Sequence, residues 1–172
     1  MLIDDLVSCG AVKFGDFTLT SGKKSRYYVD IKKASSNPLI LRRITEAFGG
    51  HSIDCDKVAG VELGAVPLIV AYSLMYGIPF VIIRKADRDH GMKNRIEGTI
   101  EKNDRILLLE DVVTSGGSVI KALDLLEAEG CKVQAVLSVV DREEGGTDIL
   151  KGRTDFRPLV RARDLLAKAD AQ

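Results

Sequence analysis

The sequence predicts an α/β fold, a parallel sheet flanked by helices with a small N-terminal lobe, on three observations. Short β-rich apolar runs alternate with longer stretches of 3.6-residue periodicity, the pattern of strands wound into a parallel sheet. One run, RILLLEDVV at 105–113, is apolar enough to be buried on both faces, yet it ends on two acids and a glycine-rich turn. The 172 residues are 45% apolar and 29% charged, with Lys+Arg 25 against Asp+Glu 25, which describes one globular domain with an ordinary core.

In order along the chain, residues 2–7 form a short helix, and 14–19 and 27–31 are two strands joined by an SGKKS turn. Pro38 opens a helix that runs to Phe48 and stops at Gly49 and Gly50. A strand at 58–61 leads past Gly64 into a helical stripe of Ala65, Leu68, Ile69, Tyr72, Met75 and Tyr76, closed by Gly77. Strands follow at 78–83 and 105–113, then a stripe of Val119, Ala122, Leu123 and Leu126 ending near Gly130. A buried strand at 133–140, an edge strand at 156–160 and an amphipathic helix at 162–169 complete the chain. The expected organisation is one domain over 1–172, with accessory-lobe elements at 1–35 and 152–162 and the core at 36–150.

Several classes are set aside. The longest apolar run, 66–76, falls short of the roughly 20 residues that span a bilayer. Asp4 and Asp5 stand where a secretory signal carries cations, so the expected location is cytoplasmic, with no membrane partner. Cys9, Cys55 and Cys131 are odd in number and widely spaced, so free thiols are expected. Balanced charge leaves no cationic excess for nucleic acid. Cations do concentrate locally in RKADRDHGMKNR, 84–95, for which a solvated charged loop is the plainest reading of composition alone.

The segment LLLEDVVTSGGS, 107–118, carries the chemistry. Parallel sheets bind ligands at the carboxyl ends of their strands. Gly116 and Gly117 allow backbone N–H groups to converge on an anion at a helix start, and Thr114, Ser115 and Ser118 add hydroxyls. An ordinary turn with Ser118 as N-cap would look similar. Glu110 and Asp111 raise the weight of a ligand site, because carboxylates at the end of an apolar strand bear a desolvation cost. Their side chains are expected on opposite sides of an extended chain, sharing a ligand only with local bending. Neither G-x-x-x-x-G-K-[ST] nor G-x-G-x-x-G is present.

This apolar strand with its two acids and T-S-G-G-S resembles the phosphoribosyl-diphosphate (PRPP) signature of type I phosphoribosyltransferases. FGDFTLTSGKKSRYYVD (14–30), RKADRDHG (84–91) and VVDREEGG (139–146) are similar to the orotate phosphoribosyltransferases in particular. The resemblance implies the type I phosphoribosyltransferase fold, in which the accessory lobe is a hood. It also implies transfer of ribose 5-phosphate from PRPP to a ring nitrogen of orotate, giving orotidine 5′-monophosphate and diphosphate. It implies that Thr114, Ser115, Gly116, Gly117 and Ser118 cradle the 5′-phosphate of PRPP, that Val112 and Val113 also bind PRPP, and that Glu110 and Asp111 hold the ribose hydroxyls. Arg84, Lys85, Arg88 and His90 would bind diphosphate, with Arg88, His90 and Asp111 as the catalytic set. Thr114 and Arg142 would contact orotate, a guanidinium suiting a planar carboxylate.

By the same resemblance Mg²⁺ is held mainly by substrate oxygens without dedicated protein ligands, and residues 84–95 complete the neighbouring site of a homodimer. A surface ion pair of Arg142 with Asp141 or Glu143 is the plainer alternative for that arginine. A purine-type phosphoribosyltransferase and a non-catalytic PRPP-sensing regulator are the other readings; Arg142 speaks against the first, the absence of a basic face against the second. The chain departs from many bacterial relatives at Thr20, where they carry Lys, and at Leu63-Gly64, where they carry Tyr-Lys. Lys23, Lys24 and Arg26 are the candidates to compensate. The paired acids are Glu-Asp where those relatives carry Asp-Asp.

Overall fold

Strands and helices alternate as the periodicity predicts. In the computed structural model, which describes residues 1–18, 22, 24–85 and 95–170, the chain opens with α1 (Leu2–Ser8), β1 (Val12–Thr18), β2 (Lys24–Val29), α2 (Ile31–Ser35) and α3 (Pro38–Gly49). β3 (Lys57–Val61), α4 (Val66–Tyr76), β4 (Phe80–Ile83), β5 (Ile96–Glu97), β6 (Arg105–Val113) and α5 (Gly117–Ala128) follow. β7 (Lys132–Asp141), α6 (Gly146–Lys151), β8 (Phe156–Arg161) and α7 (Ala162–Asp170) complete it.

Six strands form the main sheet in the order β5-β4-β3-β6-β7-β8, parallel except for β5 against β4. β6 lies centrally because both of its faces are apolar: Ile106, Leu107, Leu108 and Leu109 are all fully buried. Alternate residues feed two cores. Leu107 and Leu109 pack on the side of α3, α4 and α7, whereas Ile106 and Leu108 pack on the side of α5 and α6. Asn37 caps α3, its Oδ1 accepting from the N–H groups of Leu39 at 3.0 Å and Ile40 at 3.3 Å, ahead of Pro38 in the first turn.

The accessory lobe differs from expectation at its C-terminal part. β1 and β2 form a separate antiparallel pair, but β8 lies in the main sheet, parallel to β7 from Val136↔Phe156 to Asp141↔Arg161. β7 is ten residues long and buried over its last seven, so its outer edge needs a pairing strand more than the small lobe does. α7 instead joins the two parts. It packs on β2, buries Leu165 in the core beside Tyr27, and pairs Asp170 with Arg26. Three elements were not legible as periodicity, α2, β5 and α6, because five, two and six residues are too short to show a period.

Among the described residues no helix is long and apolar enough to cross a membrane. Cys9, Cys55 and Cys131 are free thiols.

Candidate active site

At the carboxyl end of β6, Glu110 and Asp111 both line one cavity of about 300 Å³, shared with Lys32, Glu62, Gly64, Lys85 and Ser118. The simple alternation of an extended strand is overridden locally. Glu110 is 6% exposed and its Oε1 accepts from the Asp111 N–H at 3.1 Å, while Asp111 Oδ1 accepts from the Val112 N–H at 2.8 Å. Each carboxylate thus folds back onto the backbone just after it. Asp111 also occupies the space a side chain at position 64 would need: a Cβ built on Gly64 would stand 1.9 Å from its Oδ2.

Burial, reinforced by the adjoining Asp111 carboxyl, holds the Glu110 pKa well above its ordinary 4.5. The folded chain therefore retains a proton that the unfolded chain releases once the pH exceeds 4.5. This group's contribution to stability is fully present below that value and is lost as the pH rises through the folded pKa. Glu110→Gln cannot ionise and keeps the acceptor oxygen. In metal-free buffer its thermal midpoint is expected to exceed that of the parent by a few degrees at pH 8, where about 1 kcal/mol corresponds to roughly 2–4 °C. The gap should close as the pH falls toward 4.5, and calorimetry showing a pH-independent gap would refute this account.

The turn after β6 forms a second cavity, lined by 112–119 with Glu110 and Lys121. Gly116 adopts φ 80°, a left-handed conformation that a side chain would strain, and it is the N-cap of α5. Ser118 is not the cap; it stands in the first helical turn and its hydroxyl makes no capping bond, which leaves it available to the cavities it lines. The first-turn N–H groups, unpaired in any helix, open on the same space. Gly146 braces the turn from behind. Its N–H donates to the Thr114 carbonyl at 2.9 Å, and a Cβ there would meet that oxygen at 2.5 Å.

Arg84 and Lys85 follow β4 at the same sheet edge. The Lys85 N–H donates to Glu62 Oε1 at 2.6 Å, and Arg84 pairs with Glu97 at 3.4 Å and Glu62 at 3.9 Å. Both side chains line a further cavity with Arg95, Ser118 and Lys121. Arg88 and His90, expected in the catalytic set, lie outside the described residues.

Arg142 follows β7, and its N–H donates to the Val113 carbonyl at 2.9 Å, so its backbone adjoins the phosphate-type turn. The buried Asp141 shapes this loop, accepting from the Glu143 N–H at 2.9 Å and from the Thr147 hydroxyl. The guanidinium is not paired with Asp141 or Glu143. It lies 5.3 Å from the Tyr27 ring centroid, with Nε 2.9 Å from Glu144, in a side chain only 13% exposed. Burial raises the pKa of the Tyr27 phenol against the pull of Arg142, so the ring under the guanidinium is neutral. This cavity is lined by Lys24, Ser25, Arg26 and Tyr27 of the lobe together with Arg142. Thr114, expected with Arg142 to contact orotate, lines the turn cavity, at the end of the neighbouring strand. Sequence reasoning missed Tyr27, Lys32, Glu62, Lys121 and the brace at Gly146. Only Tyr27, inside the 14–30 motif, and Gly146, at the end of the 139–146 motif, carried any signal.

An anion-type helix start, paired acids and a half-buried arginine thus stand at adjoining strand ends of one parallel sheet. Residues 32–157 match the phosphoribosyl transferase domain, and the chain belongs to that family. Its relatives include the orotate phosphoribosyltransferase of Thermoplasma acidophilum, 52% identical over 161 residues and covering 93% of each chain. The crystal structure of orotate phosphoribosyltransferase from Aeropyrum pernix superposes with a TM-score of 0.90 at 28% identity, over 100% of this chain and 99% of that one. The structure of Leishmania donovani UMP synthase matches with a TM-score of 0.85 at 31% identity, over 99% of this chain and 38% of that one.

Proposed function

We propose that this protein is an orotate phosphoribosyltransferase, moving ribose 5-phosphate from PRPP to orotate. The observation that carries this reading is the juxtaposition, on one sheet edge, of the turn at 114–118, the acids Glu110 and Asp111, and the half-enclosed guanidinium of Arg142. The turn takes the 5′-phosphate on its first-turn N–H groups and hydroxyls. Asp111 and Glu110 take the ribose hydroxyls, Glu110 through a carboxyl that burial keeps protonated at higher pH than usual. Arg142 takes the orotate carboxylate through its nitrogen fork, with Tyr27 covering the face of the guanidinium.

In the reaction the bond from ribose C1 to diphosphate breaks with its electron pair on the leaving group, and the orotate ring nitrogen closes on C1 while its proton passes to the departing diphosphate or to water. Charge develops positively on the ribose and negatively on diphosphate. Lys85 and Arg84, on the rim of the acidic cavity and its neighbour, stabilise the departing anion, and Asp111 faces the ribose. Arg88 and His90 are assigned to the diphosphate on the strength of the 84–91 motif alone.

Among the described residues no three His, Cys, Asp or Glu side chains gather as a metal cage. The cavity offers the carboxyl groups of Glu62, Glu110 and Asp111, which fit a hard cation that keeps its waters and is held by diphosphate and ribose oxygens. Glu62 and Asp111 would accept hydrogen bonds from those waters. Mg²⁺ bound in this way supplies charge neutralisation of the leaving diphosphate.

The protein acts as a cytoplasmic homodimer. Two features support this. Free thiols suit a reducing compartment. α4 contains no charged residue, yet Leu74 is 82% exposed, with Met75, Tyr76 and nearby Phe80 also open, an apolar face that a second copy would cover.

The test is a spectrophotometric assay with PRPP, Mg²⁺ and orotate, run beside adenine and hypoxanthine, with light scattering on the same sample. Orotate consumption and twice the chain mass are expected. Turnover of a purine alone, or of none of the bases, would overturn the reading, and a monomer would overturn the dimer.

A further inference from the structure

We propose that Lys32 is a PRPP-binding residue that contacts the diphosphate end from the lobe side of the acidic cavity. The proposal rests on the reading of function above. α2 packs against β6, and this brings Lys32 into the cavity that holds Glu62, Gly64, Lys85, Glu110 and Asp111. Three carboxyl groups on one cavity repel a polyphosphate unless cations stand among them, and among the described residues the ammonium groups on its wall are Lys32 and Lys85.

Lys32 is prepared for that contact. Its Nζ stands 3.1 Å from Asp30 Oδ1, which keeps the ammonium at the cavity wall while leaving the side chain 60% exposed to an incoming ligand. An incoming phosphate oxygen shares the ammonium with Asp30 or takes its place. Asp30 foremost, and Asp111 more weakly, raise the Lys32 pKa above its ordinary 10.5, so the group remains a cation at any working pH.

The other basic residues of this region face elsewhere. Lys24 donates to the Thr18 hydroxyl at 2.7 Å, Arg26 pairs with Asp170, and both open on the Arg142 cavity. Lys32 does not line the turn cavity assigned to the 5′-phosphate, which leaves the diphosphate as its partner.

Lys32→Met is tested by calorimetric titration with inorganic diphosphate and Mg²⁺, and by steady-state kinetics with PRPP and orotate. Loss of one charge-assisted contact should weaken diphosphate binding and raise the PRPP KM roughly tenfold, with the orotate KM changed by less than about twofold. Lys32→Arg should recover most of the loss. Lys33→Met, which removes the same charge from a side chain directed toward Gly10, should leave diphosphate affinity unchanged. A folded Lys32→Met with parental diphosphate affinity, or equal losses in both methionine variants, would overturn the proposal while parental turnover of orotate leaves the function intact. If the parent neither binds diphosphate nor consumes orotate, both readings fall together.

Discussion

Gly64→Ala is expected to lower kcat/KM by a factor of roughly 10²–10³ with only a small loss of stability. The physical reason is a single collision: the new methyl would sit 1.9 Å from Asp111 Oδ2 and 2.4 Å from its Cγ, so the carboxylate must leave its present position. The moving atoms are the end of a side chain and the edge of a cavity, so the fold tolerates the shift. Catalysis does not, because a displacement of about 1 Å in a group that orients substrate costs on the order of 100-fold. Gly152→Ala is the control, since its nearest new contact, the Ile149 carbonyl, is 3.9 Å away. Single-turnover kinetics would check the effect, and a Gly64→Ala enzyme with parental kcat/KM would remove Asp111 from the site.

Arg142→Ala should raise the orotate KM by about 100-fold or more and leave the PRPP KM within about twofold. Truncating one partner of a desolvated, charge-assisted pair costs roughly 2–5 kcal/mol. The side chain is 13% exposed and its guanidinium is held between the Tyr27 ring and Glu144, so the fork is preorganised rather than free in solvent. Arg142→Lys should recover little, because a point ammonium neither forks onto a carboxylate nor stacks on a ring in the same way. Equal rises in both KM values would instead indicate a general disturbance of the loop that Asp141 organises through Glu143 and Thr147.

Both predictions depend on contacts that local pattern does not contain, whereas much of the surrounding fold was legible. The strand at 105–113 was read to the residue, because a doubly buried strand is a continuous apolar run bounded by charge. The turn and helix start at 114–118 were legible because glycine and hydroxyl residues have local conformational uses. The β1–β2 pair and an edge strand at 156–160 were legible, but not that β8 pairs with β7 in the main sheet, since edge pairing is decided by which strand leaves a long unsatisfied edge. Arg142 was singled out as a partner for a carboxylate; that its guanidinium is half-buried, with Glu144 as neighbour and Tyr27, 115 residues earlier in the chain, as platform, was not legible.

By itself the sequence determined the α/β class, the order of the longer strands and helices, the anion-type turn and the paired acids, all properties of residues within a few positions of one another. Tertiary structure alone decided that Glu110 and Asp111 share a cavity, that Gly64 makes room for Asp111, and that Lys32 faces them from α2. The physical reason is that these relations are set by packing between β6, the β3–α4 turn and α2. Such contacts join residues 30 to 80 positions apart, and steric fit and desolvation, rather than periodicity, select them.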